Sequence, residues 1–199
     1  MYLPAHFEQH DRAALHALVR DHPLATLIVG TSDGPTADLI PLTLSDDARM
    51  LQGHVARANP LWRHADGARV LAVFSGPEAY VSPGWYASKR EHGKVVPTWN
   101  YTMVQARGTL RAVQDAAWLR ALVERLTAHH EAKQAAPWSV ADAPDDFVQQ
   151  MLRAIVGIEI TLDALVGKWK VSQNRSAADR AGVAAGLGDA AMAALVASQ

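Results

Sequence analysis

A chain of 199 residues, 49% apolar and 20% charged, can bury a core of its own and is globular in composition rather than disordered. With no cysteine it has no disulfide framework, thiolate nucleophile or Cys-ligated metal, and that fits a cytoplasmic protein. Its formal net charge of −1 lacks the basic excess of a dedicated DNA-binding domain, no apolar run reaches the ~18–20 residues of a membrane span, and residues 1–12 lack the apolar centre of a signal peptide.

In chain order, residues 1–9 read as an extended arm carrying Tyr2, Pro4 and Phe7. Asp11 caps a first helix whose apolar face is Leu15, Leu18 and Val19, and Pro23 stops it. Residues 24–30 and 36–44 form a hairpin about Ser32-Asp33-Gly34, and a third strand follows near 50–55. Asn59-Pro60 opens a short helix with Leu61 and Trp62 that runs to Asp66-Gly67. The apolar run at 69–75 reads as a strand covered on both faces. A short strand at 79–82, a loop at 83–96 and a long strand or strand pair from Thr98 to Val113 come next. Asp115 caps a helix bearing Trp118, Leu119, Leu122, Val123 and Leu126. After a two-proline loop with Trp138, residues 145–153 form a helix. Ile158, Ile160 and Leu162 alternate with Glu159 and Thr161 as a half-buried strand, and residues 168–172 extend it or form another. Two short helices, 176–186 and 189–197, end the chain. Successive strands with short connections predict one domain over 1–199, mainly β with helices (α+β), built as an antiparallel barrel. Residues 1–113 supply most of that barrel. Residues 114–199 add helices and the late strands that complete it.

Three blocks carry chemistry. The first is 53–60, where Arg57 stands between a strand end and a helix start. Unpaired helix-end amides and a guanidinium suit a phosphate; the plainer reading is an ordinary strand–helix joint. The second is 80–108. Trp85, Tyr86, Trp99 and Tyr101 offer faces for a ring system, and Ser82, Ser88, Lys89 and Asn100 offer groups for its edges. Core and interface aromatics are the alternative. The third is 168–175, where Lys168, Lys170 and Ser172 share a strand face; an edge strand protected by lysines would look the same. His129 and His130 are adjacent, so they face different directions, His6 and His10 sit at an i,i+4 spacing only if the arm were helical, and no HExxH, Walker A or GxGxxG pattern occurs. A metal site is not expected.

In this order the blocks GHVARANPLW (53–62), YVSPGWYASK (80–89), VPTWNY (96–101) and KVSQNR (170–175), with Met1–Phe7 before them and Asp179 and Gly182-Val183 after, resemble the PaiB-like family, described as FMN-binding negative transcriptional regulators within the FMN-binding split β-barrels. The likeness runs from residue 1 to about 188. It implies a homodimer of split barrels with one FMN in each of two clefts at the subunit interface. By position it implies that Arg57 meets the phosphate with help from His54 and Asn59, and that Lys89 is a second cation. Ser82, Trp85, Tyr86, Trp99, Asn100 and Tyr101 would line the ring site. Lys170, Ser172, Gln173 and Arg175 would reach it from the late segment. The implied activities are an FMN-dependent oxidoreductase or a flavin-dependent regulator with DNA as partner. The alternative is a dimeric module for heme or another anionic, aromatic ligand. With no cysteine, any redox chemistry would reside on the cofactor.

Overall fold

The computed structural model describes all 199 residues. Its elements are β1 (Glu8–Gln9), α1 (Arg12–Asp21), β2 (Leu24–Thr31), β3 (Gly34–Pro41), β4 (Thr43–Leu44), β5 (Met50–Ala56), α2 (Leu61–His64), β6 (Arg69–Val81), α3 (Ser88–His92), β7 (Thr98–Val113), α4 (Ala116–Glu131), α5 (Asp145–Arg153), β8 (Ile155–Lys170), α6 (Ala177–Gly186) and α7 (Ala190–Ala197). The sheet order is β3-β2-β6-β7-β8-β5-β4, with β1 added on β8. The registers of β1 on β8, β2 on β3 and β6, and β5 on β4 and β8 are all antiparallel. This is the α+β split β-barrel that the sequence predicts. No helix is long and apolar enough to cross a membrane.

Helix starts follow local chemistry. Ala13 N donates to Asp11 Oδ1 at 2.8 Å, Trp118 N to Asp115 Oδ1 at 2.7 Å, and Met192 N to Asp189 Oδ1 at 2.6 Å. Each bond satisfies an amide that has no partner inside its helix. The chain divides into two compact units, Met1–Leu18 with Phe74–Gln105 and Val166–Gln199, and Val19–Val73 with Ala106–Leu165. β6, β7 and β8 each run on from one into the other.

The second unit holds β2 to β5 and the packed barrel interior. Leu27, Leu42, Leu51, Leu110, Ile158 and Ile160 are all fully buried, each worth about 1.5–3 kcal/mol over an exposed side chain. Barrel closure is visible at Gly53 on β5. A Cβ there would sit 2.5 Å from the Pro41 carbonyl oxygen, so only glycine lets the end of β3 lie against β5. Two strands differ from expectation. Along β6, Leu71 and Val73 are only partly buried between buried Val70, Ala72 and Phe74, so its apolar run has one covered face, not two. On β8, Val156–Ile160 is buried without interruption. Glu159 is 8% exposed there because Gln52 and Arg111 bond both carboxylate oxygens at 2.8 Å.

In the first unit, α6 and α7 pack on Val81, Tyr86 and Val171 through Val183, Met192 and Val196. The separate strand expected at 79–82 is the end of β6. The expected loop at 83–96 contains a 3-10 turn at Pro83–Trp85 and α3.

Candidate functional site

The first unit gathers the late cations. Lys168 and Lys170, two apart on β8, share one face of the strand. The chain then turns back at Ser172, whose φ is +66°. Asn100 Nδ2 donates to Ser172 Oγ at 2.9 Å, and both residues are buried. Gln173 closes the turn: its Oε1 accepts from Val171 N at 2.8 Å and its Nε2 donates to the Trp169 carbonyl at 2.6 Å. This reversal returns Arg175 towards the lysines. Lys168 Nζ donates to the Tyr2 carbonyl at 3.1 Å and lies 5.6 and 5.4 Å from the Tyr2 and Tyr101 ring centroids. Lys170 Nζ donates to the Thr98 hydroxyl and to the Trp99 carbonyl. The Arg175 guanidinium stands 4.7 Å over the Tyr86 ring.

None of these three cations has a carboxylate partner; every ion pair in the protein lies elsewhere. Burial, then repulsion from Lys168 and Arg175, lowers the Lys170 pKa. Asp179, the acid that feels Arg175, is already engaged: its carboxylate accepts from Ser88 N and Ser88 Oγ, both at 2.9 Å. The same unit carries two open aromatic rings. Trp99 is 54% and Tyr80 47% exposed, and they meet edge to face at 5.9 Å. Crowded positive charge and bare indole and phenol surface in one unit favour a planar ligand carrying an anion.

The block at 53–60 lies in the second unit and behaves differently. The Arg57 guanidinium donates from Nε to the Arg153 carbonyl at 2.7 Å, from Nη1 to Gln114 Oε1 at 2.8 Å and from Nη2 to the Ile155 carbonyl at 2.9 Å. Arg57 therefore joins the end of β5 to the α5–β8 connection. Asn59 is also engaged, donating to Asp38 Oδ1 at 3.1 Å and accepting from Leu61 N at 2.8 Å. The helix that follows has four residues, Leu61–His64, and stops short of Asp66. One turn is too short to build up an aligned dipole. His54 has a buried Nδ1 with no hydrogen-bond partner, and burial lowers its pKa.

The remaining expected residues divide by role. Trp85 packs into the α6–α7 core. A Cβ on Gly182 would fall 2.1 Å from the Trp85 carbonyl oxygen, and one on Gly186 2.4 Å from its indole, so two glycines one helical turn apart make its slot. Tyr86 is 2% exposed and offers Arg175 a ring face. Ser82 Oγ accepts from Gly84 N at 3.1 Å and caps the turn. Lys89 is exposed on α3. Of the expected ligands, Lys170, Arg175, Tyr101 and the Trp99 main chain come together with three residues not expected as ligands: Lys168, Thr98 and Tyr2. The Lys168–Lys170 alternation was the signal for the first of these. The other two follow only from pairing in space.

Residues 1–164 match the model of a family described as "Putative FMN-binding domain". An uncharacterized protein of Emericella nidulans is 35% identical, with 94% of this chain and 90% of that protein aligned. Protease synthase and sporulation protein PAI 2 of Bacillus subtilis is 30% identical, with 90% and 85% aligned. Among solved structures, the FAD and heme binding protein of Mycobacterium smegmatis has a TM-score of 0.65 over 90% of this chain and 80% of its own, at 17% identity, a likeness of fold.

Proposed function

The chain belongs to this FMN-binding-domain family, in its PaiB-like branch, and from that premise we propose that it binds FMN, whose anionic end is drawn to Lys168, Lys170 and Arg175. One observation carries the reading: three cations crowd together without a carboxylate. A phosphate near −2 would offset the burial and the repulsion that together lower the Lys170 pKa. The same unit also leaves the Trp99 and Tyr80 rings open, surface that a flat ring system can use. When bound, FMN supplies the redox chemistry that a cysteine-free chain lacks. The chain's own residues bind and orient it.

A visible spectrum of gently purified protein followed by FMN titration tests this. Flavin absorbance and a Kd in the micromolar range or below support it; a colourless protein that takes up no FMN defeats it. Mass spectrometry of the co-purifying ligand separates FMN from heme. The same proposal extends to a homodimer with the flavin at the subunit interface and to a regulatory output. Sedimentation of the loaded protein tests the first. For the second, a mobility shift on the protein's own promoter should show the steep salt dependence of phosphate contacts, and no shift at low salt would remove DNA as a partner.

A further inference from the structure

A cavity lies within the second unit, different in chemistry from the cation cluster. It has a volume of about 260 Å³ and is lined by side chains of β5, α4, α5 and the Val140 turn. Its floor is Val140, Val148 and Leu152 of a buried cluster that Leu119 completes. Trp138, Phe147 and Met151 stand at it 48%, 51% and 42% exposed. No charged side chain lines it. The Trp138 indole N–H there can only donate, and the residue that can accept a hydrogen bond through its side chain is His54. Its Nδ1 is buried without a partner, and the imidazole makes no hydrogen bond at either nitrogen.

The Trp138 segment is held in place rather than loose. Trp138 N donates to Glu131 Oε2 at 3.0 Å, Ser139 N donates to Asp142 Oδ2 at 2.8 Å, and prolines stand at 137 and 144. An apolar wall with a fixed indole and an unused imidazole is a formed pocket, not an accident of a flexible loop. An apolar cavity of about 150 Å³ holds a benzene, so this one has room for two fused rings. An unsatisfied imidazole is costly unless a ligand meets it.

We propose that this cavity binds a neutral aromatic molecule of one or two rings bearing a hydroxyl or carbonyl oxygen, with the oxygen hydrogen-bonded to His54. The absence of lining charge selects a neutral ligand, and the exposed indole and phenyl faces select an aromatic one. The site is independent of the flavin reading and stands or falls separately from it.

The probe is 2-naphthol, neutral at pH 7, titrated by fluorescence into the full-length protein beside naphthalene, which lacks the hydroxyl. Binding of 2-naphthol at about 10–100 μM, roughly tenfold tighter than naphthalene, is the expected result. His54→Phe should close that gap while naphthalene still binds. Trp138→Ala, at a residue half exposed and so safe for the fold, should weaken both ligands. Lack of binding at about 1 mM, equal affinity for the two ligands in the natural protein, or indifference to Trp138→Ala overturns the proposal. Sedimentation of Phe147→Ser supplies the last arm: conversion of a dimer to a monomer would mean that a second copy of the chain covers this face, and the small-molecule site would be rejected.

Discussion

Arg57 and the Lys168–Arg175 segment look alike in sequence: cations beside aromatic and amide residues, each fit for a phosphate. In space they are opposites. Arg57 spends three of its donors on two main-chain carbonyls and a glutamine of its own unit. Lys168, Lys170 and Arg175 make no close ion pair, and Lys170 is repelled by the other two. A cation whose donors are satisfied inside the fold stabilises the fold. A group of cations left without countercharge costs stability until an anion arrives. Binding sites are recognised by what the fold leaves unpaid, so the second region is the one to test as the cofactor's.

The largest effect should come from breaking the structural member. Arg57→Ala leaves the Arg153 and Ile155 carbonyls without their donor and should lower unfolding free energy by about 3 kcal/mol, measured by urea denaturation. FMN and riboflavin affinities should then change equally. A selective loss of FMN would return Arg57 to the phosphate. Lys170→Met is the converse. It removes a charge disfavoured in the free protein, so stability should hold or rise slightly. FMN should weaken by roughly tenfold to a hundredfold, because a charge-assisted contact is worth about 1.5–3 kcal/mol. Riboflavin, without the phosphate, should change little in the same calorimetric titration. Equal losses for both ligands would sink the assignment of the anion to this cluster.

Asp179 sharpens the contrast from the acidic side. Burial would raise its pKa, but the two bonds from Ser88, the Ser176 contact and the charge of Arg175 outweigh burial and lower it. A carboxylate with a depressed folded value contributes stability that is complete above its unfolded value of about 3.9 and lost as pH falls through the folded one. Asp179→Asn should therefore cost about 1–2 kcal/mol at pH 7 and flatten the acid limb of a thermal-melt series. If Asp179 instead neutralised the cluster, the substitution would raise FMN affinity; unchanged FMN affinity keeps Asp179 with Ser88.

Local chemistry was legible and distant pairing was not. Asp11, Asp115, Ser176 and Asp189 cap their helices as their positions require, because a cap reaches only two or three residues along the chain. Alternation marked the barrel strands, yet the buried faces of β6 and β8 were exchanged. Helix packing beside Val156–Ile160 and partial exposure of Leu71 and Val73 depend on elements far away in sequence. The family's blocks were visible as unusual compositions, but the use of each side chain was not. Trp85 reads as a ligand platform until Gly182 and Gly186 are seen to form its slot. Arg57 reads as free until its acceptors arrive from residues 114, 153 and 155.

The smallest effect separates the two regions by pH alone. The Lys170 pKa is lowered by burial first, then by Lys168 and Arg175. Below that lowered value the lysine is charged in both the folded and unfolded chain, and the folded form bears the cost. As pH rises through it towards the ordinary lysine value of about 10.4, the folded chain sheds the proton first, so the free protein's stability from this group increases. FMN needs the charged form, so its preference over riboflavin should decline across the same window, by less than about tenfold. Lys170→Arg, charged throughout, should hold that preference constant to higher pH. Titrating both flavins from neutral to alkaline pH while following melting temperature checks the opposed trends. If preference and stability fall together, the proton lost belongs to the fold and not to the anion site.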